Sequence, residues 1–171
     1  MTEKLLEFSA HMPINEAIDR AKHAKMPLLL PVETYQDDRG WSFMNLAYGL
    51  SSFGQMNFSC MQPGVIKAWH KHENQTDIWV VVRGDLKVGV IHEFEVSEGI
   101  DHKAWYAVIG EHKPGIIIIP PGLWHGCTVN TKKVAGLVYI TDKIYNPGTP
   151  DEQRRKFDYF GPLFSWGVEN R

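Results

Sequence analysis

The chain has 171 residues, of which 43% are apolar and 22% are charged. This composition is typical of an ordinary globular protein with its own hydrophobic core, and the length predicts a single domain. Lys and Arg total 18 while Asp and Glu total 20, giving a net charge of −2. That balance excludes the basic surface by which proteins bind nucleic acid or anionic membranes.

Neither a targeting segment nor a disulfide framework is predicted. The first residues carry acids and form no continuous apolar stretch, which argues against a signal peptide. The longest apolar runs, such as residues 116–119, are far too short to cross a membrane. Two cysteines, Cys60 and Cys127, are expected to be reduced thiols. We therefore expect a cytoplasmic protein with no nucleic-acid or membrane partner.

The first predicted element is a short helix over residues 15–25. Asn15 is the expected N-cap, and Ile18, Ala21 and Ala24 form an apolar stripe. The helical pattern stops at Pro27. An extended segment at 28–35 and a turn at 37–40 follow.

From residue 41 onward, the pattern predicts short strands separated by Gly and Pro turns. Period-two counting places Gln55, Asn57 and Ser59 on one face of the first clear strand. A polar connection is expected at 97–102. The predicted strands cover residues 55–61, 65–72, 77–82, 86–94, 105–109, 115–119, 127–130 and 134–141. Many short strands without intervening helices indicate a closed or sandwiched antiparallel sheet.

The tail from residue 146 has a different character. Its prolines and the polar run 151–156 predict a turn followed by a short helix or a polar surface segment. Residues 157–166 are strongly aromatic and are expected to pack on the barrel or on a second subunit. The predicted domain, 1–171, thus consists of an N-terminal helical extension (1–25), a barrel (26–148) and a C-terminal segment (149–171).

Two segments carry histidines at regular spacing. In the first, Gly64 is followed by five residues, His70-x-His72, four residues, Asp77, six residues and Gly84. The second consists of Gly115, four residues, Pro-x-Gly, two residues, His125, four residues and Asn130. This pattern resembles the two signature motifs of the cupin superfamily, with Asp77 where a Glu is usual. The resemblance implies an all-β jelly-roll barrel whose interior is lined by both motifs.

A narrower resemblance covers residues 26–148. The stretches 26–32, 37–41, 55–59, 63–70, 82–84, 119–126 and 139–147 are similar to the dTDP-4-dehydrorhamnose 3,5-epimerase family. The resemblance implies a cofactor-free homodimer acting on a nucleotide-activated 4-keto-6-deoxy sugar. It makes His70 the base that removes a proton beside the ketone, and Tyr139 the acid on the opposite face. The binding residues that it implies are Arg39, Gln55, Asn57, Lys67, His125 and Tyr145.

The chain departs from this family at several positions. The family pairs its catalytic His with an Asp, for which no counterpart is evident, and its C-terminal Trp-x-Asp-Pro segment is missing. Asp77 stands where the family has Lys, and His72 where Gln is usual. An ionised Asp beside a forming enolate is unfavourable. Three arrangements remain open: Asp77 orients His70 as a third catalytic residue, it is protonated, or it shares a metal with the histidines.

Two other functions are therefore weighed beside the epimerase. His70, His72, Asp77 and His125 offer a ligand set suited to Zn, Fe, Ni or Mn, as in a metal-dependent isomerase or dioxygenase. The third possibility is a cupin that binds a sugar without catalysing a reaction.

Overall fold

Two largely antiparallel sheets form the framework of the fold. The computed structural model describes residues 2–129 and 131–168. The five-stranded sheet has the order β2-β10-β7-β12-β5, and the six-stranded sheet has the order β1-β9-β8-β11-β6-β13. The strands are β1 (Thr2–Lys4), β2 (Leu28–Pro31), β3 (Thr34–Asp37), β4 (Gly40–Phe43), β5 (Gln55–Met61), β6 (Ile66–Lys71), β7 (Asp77–Arg83), β8 (Asp85–Val96), β9 (Gly99–Gly110), β10 (Gly115–Ile119), β11 (Trp124–Thr128), β12 (Ala135–Thr141) and β13 (Gln153–Arg154). The predicted all-β jelly-roll class is confirmed, although the two sheets do not close into one continuous barrel.

The core lies between the two sheets and under the helix. Strands β7, β8, β10 and β12 bury runs of consecutive residues, because both of their faces are covered. In β7 and β10, one set of alternate side chains joins the core between the sheets and the other set packs under the helix. Helix α1 (Ile14–Ala24) buries Ile14, Ala17 and Ala21 on the outer face of the five-stranded sheet. Among residues 2–129 and 131–168, no helix has the length and apolar character needed to cross a membrane.

The helix is found where the sequence predicts it, but its cap differs. Pro13 occupies the N-cap position and makes no side-chain capping bond. Asn15 lies inside the helix and donates its side-chain amide to Ser51 Oγ at 2.7 Å. The predicted N-cap was therefore wrong, because Asn15 is bonded to a distant loop.

The predicted polar connection at 97–102 was also wrong. Strands β8 and β9 pair continuously from Asp85↔Gly110 to Val96↔Gly99, so only residues 97 and 98 are left for the turn. The polar side chains of this region lie on an exposed part of the hairpin. The polar residues at 99–102 are therefore largely exposed strand residues, and their polarity does not mark the end of a strand.

Both chain ends contribute edge strands from outside the predicted barrel limits of 26–148. Strand β1 pairs in parallel with β9, and β13 pairs with β6. The segment predicted as a short helix or polar surface at 151–156 thus contains a strand. Asn130, which ends a predicted strand and the second motif, and residues 169–171 of the predicted tail lie outside the described residues.

The aromatic tail packs on the barrel, which is one of the two predicted locations. Trp69 is fully buried, and its ring centroid lies 5.3 Å from that of Phe160, 5.3 Å from that of Phe164 and 4.6 Å from that of Trp166. Trp69 also donates its indole N–H to the carbonyl of Phe157 at 3.0 Å. The tail is therefore anchored to the strand that carries His70.

Candidate active site

A cavity of about 870 Å³ opens between the two sheets. This volume is in the range of small-molecule sites. Strands β5, β7 and β12 line one wall, β6 and β11 line the other, and residues of the segment 143–154 surround the mouth. The predicted site residues that line it are Gln55, Asn57, Lys67, His70, His72, Asp77, His125, Tyr139 and Tyr145.

The pairing of β6 with β11 brings the two motifs together. His125 lies directly across from His70, with their ring centroids 6.4 Å apart. Gly126 permits this close approach, because a Cβ there would lie 2.4 Å from the Cβ of Ala68 and 2.6 Å from the carbonyl oxygen of Lys67. Gly126 therefore lets β11 and β6 pair closely enough to bring His70 and His125 together.

His70 is paired with a carboxylate that the sequence analysis did not identify. Its Nδ1–H donates to the carboxylate of Glu152, which also accepts from Arg154 Nη2 at 2.8 Å. Burial lowers the pKa of His70 below its ordinary value, and the bond to Glu152 offsets this only in part. Burial also opposes ionisation of Glu152, but the bonds from Arg154 and His70 outweigh it and lower the pKa of Glu152. The result is a neutral imidazole at neutral pH, backed by an anion.

Asp77 faces His125 and His72 instead of His70, the residue that it was predicted to orient. Its carboxylate accepts from Gln75 Nε2 at 2.7 Å and from Trp79 Nε1 at 3.0 Å. Its oxygens lie 3.4 Å from His125 Nε2 and 4.0 Å from His72 Nε2. Burial disfavours the charged form, but these partners together lower the pKa of Asp77. The residue that orients His70 is Glu152 instead of Asp77, which is ionised and faces the other two histidines.

The tautomers of those two histidines follow from their partners. A carbonyl oxygen can only accept, so the Nδ1 of His72 must donate to the carbonyl of Asp151, and the Nδ1 of His125 to that of Leu123 at 3.0 Å. Both rings then present their Nε2 atoms toward Asp77. Such an arrangement is usual for histidines that bind metals.

Three of the four predicted metal ligands converge. Potential ligand atoms of His72, Asp77 and His125 all lie within 4.8 Å of one another. Two imidazoles and a carboxylate with room for substrate fit a divalent transition metal. His70 is not in this group among the described residues, because its ring is turned toward Glu152.

Tyr139 and Asn57 lie on the wall opposite His70. They are direct neighbours across β12 and β5. The amide Nδ2 of Asn57 is buried and has no hydrogen-bond partner within the described part of the chain. A buried donor without a partner is costly unless a ligand or water satisfies it. Asn57 is thus a donor available to a bound molecule.

The remaining predicted binders differ in their environment. Lys67 lines the cavity and donates to Ser59 Oγ at 2.6 Å. Gln55 accepts from the backbone N–H of Tyr145 at 3.0 Å and so holds the loop at the mouth. Arg39 does not line the cavity: it lies exposed at the β3–β4 turn, ion-paired with Asp37. The hairpin carries it away from the site formed within one chain.

Sequence reasoning missed several lining residues beyond β12. The run that contains Asp151, Glu152 and Arg154 predicts a short helix or a polar surface segment, and no pattern marks Lys143 as a lining residue. The only local signal was a pair of acids after Pro150, and nothing in their spacing relates them to His70.

Comparisons with known proteins relate the chain to carbohydrate biosynthesis. The model of the family described as polysaccharide biosynthesis C-terminal domain matches residues 35–153. The chain is 35% identical over 141 residues to the spore coat polysaccharide biosynthesis protein SpsL of Bacillus subtilis (strain 168), covering 80% of this chain and 92% of that protein. It is 33% identical over 113 residues to the probable low-salt glycan biosynthesis epimerase Agl13 of Haloferax volcanii, covering 66% of this chain and 72% of that protein.

A solved structure supports the fold. The dTDP-4-dehydrorhamnose 3,5-epimerase from Elizabethkingia anophelis NUHP1 superimposes with a TM-score of 0.64 at 21% identity, covering 84% of this chain and 82% of that one. The predicted resemblance to this group of proteins is confirmed.

Proposed function

Because this chain belongs to the polysaccharide biosynthesis C-terminal domain family, we propose that it is an epimerase or isomerase of a nucleotide-activated 4-keto-6-deoxy sugar. Relatives named as sugar epimerases support the enzyme class. The observation that carries the proposal is the His70–Glu152 pair, which faces Tyr139 across a cavity large enough for such a molecule.

His70 is the proposed base. With its Nδ1–H held by Glu152, its Nε2 is free to take the proton next to the ketone, and the electron pair moves to the ketone oxygen. The anionic Glu152 then stabilises the imidazolium that forms. Its role matches that of the carboxylate expected beside the catalytic His.

Tyr139 is the proposed acid. It comes from the five-stranded sheet, while His70 comes from the six-stranded sheet, so the two groups address a bound sugar from opposite sides. Transfer of the phenolic proton to the carbon inverts the centre as the electron pair returns from the enolate oxygen and the ketone re-forms. The tyrosinate then takes a proton from solvent, and the His70 imidazolium releases its proton to solvent. The free amide of Asn57 and the ammonium of Lys67 are donors for the sugar and its enolate oxygen.

Three cationic side chains at the cavity are the proposed partners of the substrate's nucleoside diphosphate, and three carboxylates line the same cavity. Lys67, Lys143 and Arg154 all line it. Cations beside an otherwise acidic protein give a local site for phosphates. Gln55 and Tyr145 complete the proposed binding residues on this side, whereas Arg39 has no place in the cavity of a single chain.

A metal-dependent enzyme is the second candidate. The specific observation in its favour is that potential ligand atoms of His72, Asp77 and His125 lie within 4.8 Å of one another, while the Nδ1 atom of each histidine is bonded to a backbone carbonyl. A divalent ion held by these three residues would polarise the substrate carbonyl. His70 would retain its role as base in either case, because Glu152 holds it outside the ligand group.

One set of measurements tests these candidates. The protein is incubated in D₂O with a dTDP-4-keto-6-deoxyhexose, and deuterium at C3 and C5 is followed by NMR. Exchange abolished in His70→Ala supports the epimerase, whereas tight binding without exchange in the wild type would indicate a non-catalytic sugar-binding protein. Stoichiometric metal that disappears in His72→Ala, together with loss of exchange on chelation, would establish the second candidate.

We further propose a cytoplasmic homodimer. Strand β5 is an edge strand, and its outer face exposes Met56 and Phe58 at 61% and 63%. Tyr35 and Trp41 of the β3–β4 hairpin are also exposed. A second subunit would cover such an apolar face. Light scattering on the wild type and on Phe58→Glu tests this, since a wild-type monomer would contradict it.

A further inference from the structure

We propose that Asp151 is a positioning residue, which acts through His72 and Gln75 to arrange the Asp77 side of the cavity. The residue belongs to a strap, residues 151–155, that runs along β6. This inference rests on the proposed function, because it assigns a role within that site. The side chain of Asp151 transfers no proton in the proposed reaction.

The carboxylate of Asp151 organises the turn between β6 and β7. Its oxygens accept the backbone N–H groups of Glu73, Asn74 and Gln75 at 2.9, 2.9 and 3.0 Å. Burial opposes ionisation, but these three bonds outweigh it and lower the pKa of Asp151. The Asp151 side chain is therefore a charged acceptor for three consecutive backbone N–H groups.

Two connections lead from this turn to the cavity. Gln75, whose main chain is held by Asp151, donates its side-chain amide to Asp77 at 2.7 Å. The main-chain carbonyl of Asp151 accepts Nδ1–H from His72. One residue thus fixes the tautomer of His72 and the donor that orients Asp77, which are neighbours at 4.0 Å.

The rest of the strap is held independently of the Asp151 side chain. Gln153 and Arg154 pair with Lys71 and His70, and the backbone groups of Arg155 and Trp69 exchange two hydrogen bonds of 3.0 Å. Glu152 holds His70 from the same strap. Removal of the Asp151 carboxylate is therefore expected to release the 73–75 turn and the carbonyl that faces His72, while His70 keeps its partner.

Asp151→Ala is compared with Gln153→Ala, which removes one exposed strap bond, from Gln153 Nε2 to Glu73 at 2.8 Å. Nitrogen-15 spectra of the histidine rings report the tautomers, and deuterium exchange into the keto sugar gives kcat/KM. In Asp151→Ala we expect the His72 signals to move from the pure Nδ1–H form toward a mixture, unchanged His70 signals, and a fall in kcat/KM of about 10- to 100-fold. Gln153→Ala should change kcat/KM less than about 2-fold.

The spectra separate the possible failures. Unchanged His72 signals in Asp151→Ala would overturn the proposal, and so would equal changes at His70 and His72, which would indicate general loss of the strap. If Asp151→Ala changes the His72 signals selectively but the wild-type protein shows no deuterium exchange, the proposed function is refuted and the positioning role stands. If Asp151→Ala does not fold, Asp151→Asn, which keeps one acceptor oxygen, should show the same selective change to a smaller extent.

Discussion

Replacement of Glu152 by Gln gives the sharpest test of the proposed base. The substitution keeps the size of the side chain and an oxygen that accepts the Nδ1–H of His70, but it removes the negative charge. A hydrogen bond to a charged group contributes about 1.5–3 kcal/mol. Loss of that amount when the imidazolium forms corresponds to a fall in kcat/KM of about 10- to 100-fold.

The pH dependence has a defined sign. Burial already lowers the pKa of His70, and Glu152 counters this shift by favouring the charged ring. Because a base works when unprotonated, the acid limb of kcat/KM in the wild type should lie below the ordinary histidine range of about 6.5. Without the Glu152 charge, the His70 pKa falls further, so the limb moves to lower pH while the plateau drops.

The assay is deuterium exchange into the keto sugar, followed across pH for the wild type, Glu152→Gln and Glu73→Gln. Glu73 is an exposed carboxylate nearby, and its bond from Gln153 survives the substitution. Glu73→Gln therefore removes one negative charge near the site without changing the partner of His70, and it serves as the control. A plateau in Glu152→Gln equal to that of Glu73→Gln, or an acid limb shifted to higher pH, would refute the reasoning.

Three further predictions concern the opposite wall, the thiols and the core. Tyr139→Phe should retain proton exchange at the carbon that His70 deprotonates but lose inversion by about 100-fold or more, and an equal loss of both would contradict separate roles. Since Cys127 is buried with its pKa raised by burial to about 12, Ellman's reagent at pH 8 should leave Cys127 unmodified until denaturant is added; rapid reaction of Cys127 in native protein would show otherwise. Trp69→Ala should lower the free energy of unfolding by about 3–5 kcal/mol in urea titrations, because Trp69 is fully buried among the tail aromatics, and a loss under about 1 kcal/mol would argue against that packing.

Spacing in the sequence was enough to identify the two motifs and the residues they bring together. His70 and His72 belong to one segment and His125 to the other, and antiparallel pairing of β6 and β11 places the segments side by side. Alternation in β5 correctly placed Gln55, Asn57 and Ser59 on one face of the strand, and this face lines the cavity. These predictions succeeded because they depend on local periodicity within strands.

Other parts of the site depend on tertiary contacts that no local pattern encodes. Glu152 reaches His70 across 82 positions of sequence, so its polar surroundings indicated only a short helix or a polar surface segment. Likewise, the turn that carries Arg39 was recognised, but the direction of the β3–β4 hairpin was not. Asp77 matched a motif position, yet its neighbours, and hence its role, became evident only from the folded arrangement.

The location of the strap has a consequence for biosynthesis. A ribosome makes His70 and His72 some 80 residues before it makes the groups that hold their rings, since the separations are 82 and 79 positions. At about 5–20 residues per second, the nascent chain carries both imidazoles for several seconds without those partners. The competent arrangement therefore arises only after residues 151–155 have emerged and docked on the edge of β6.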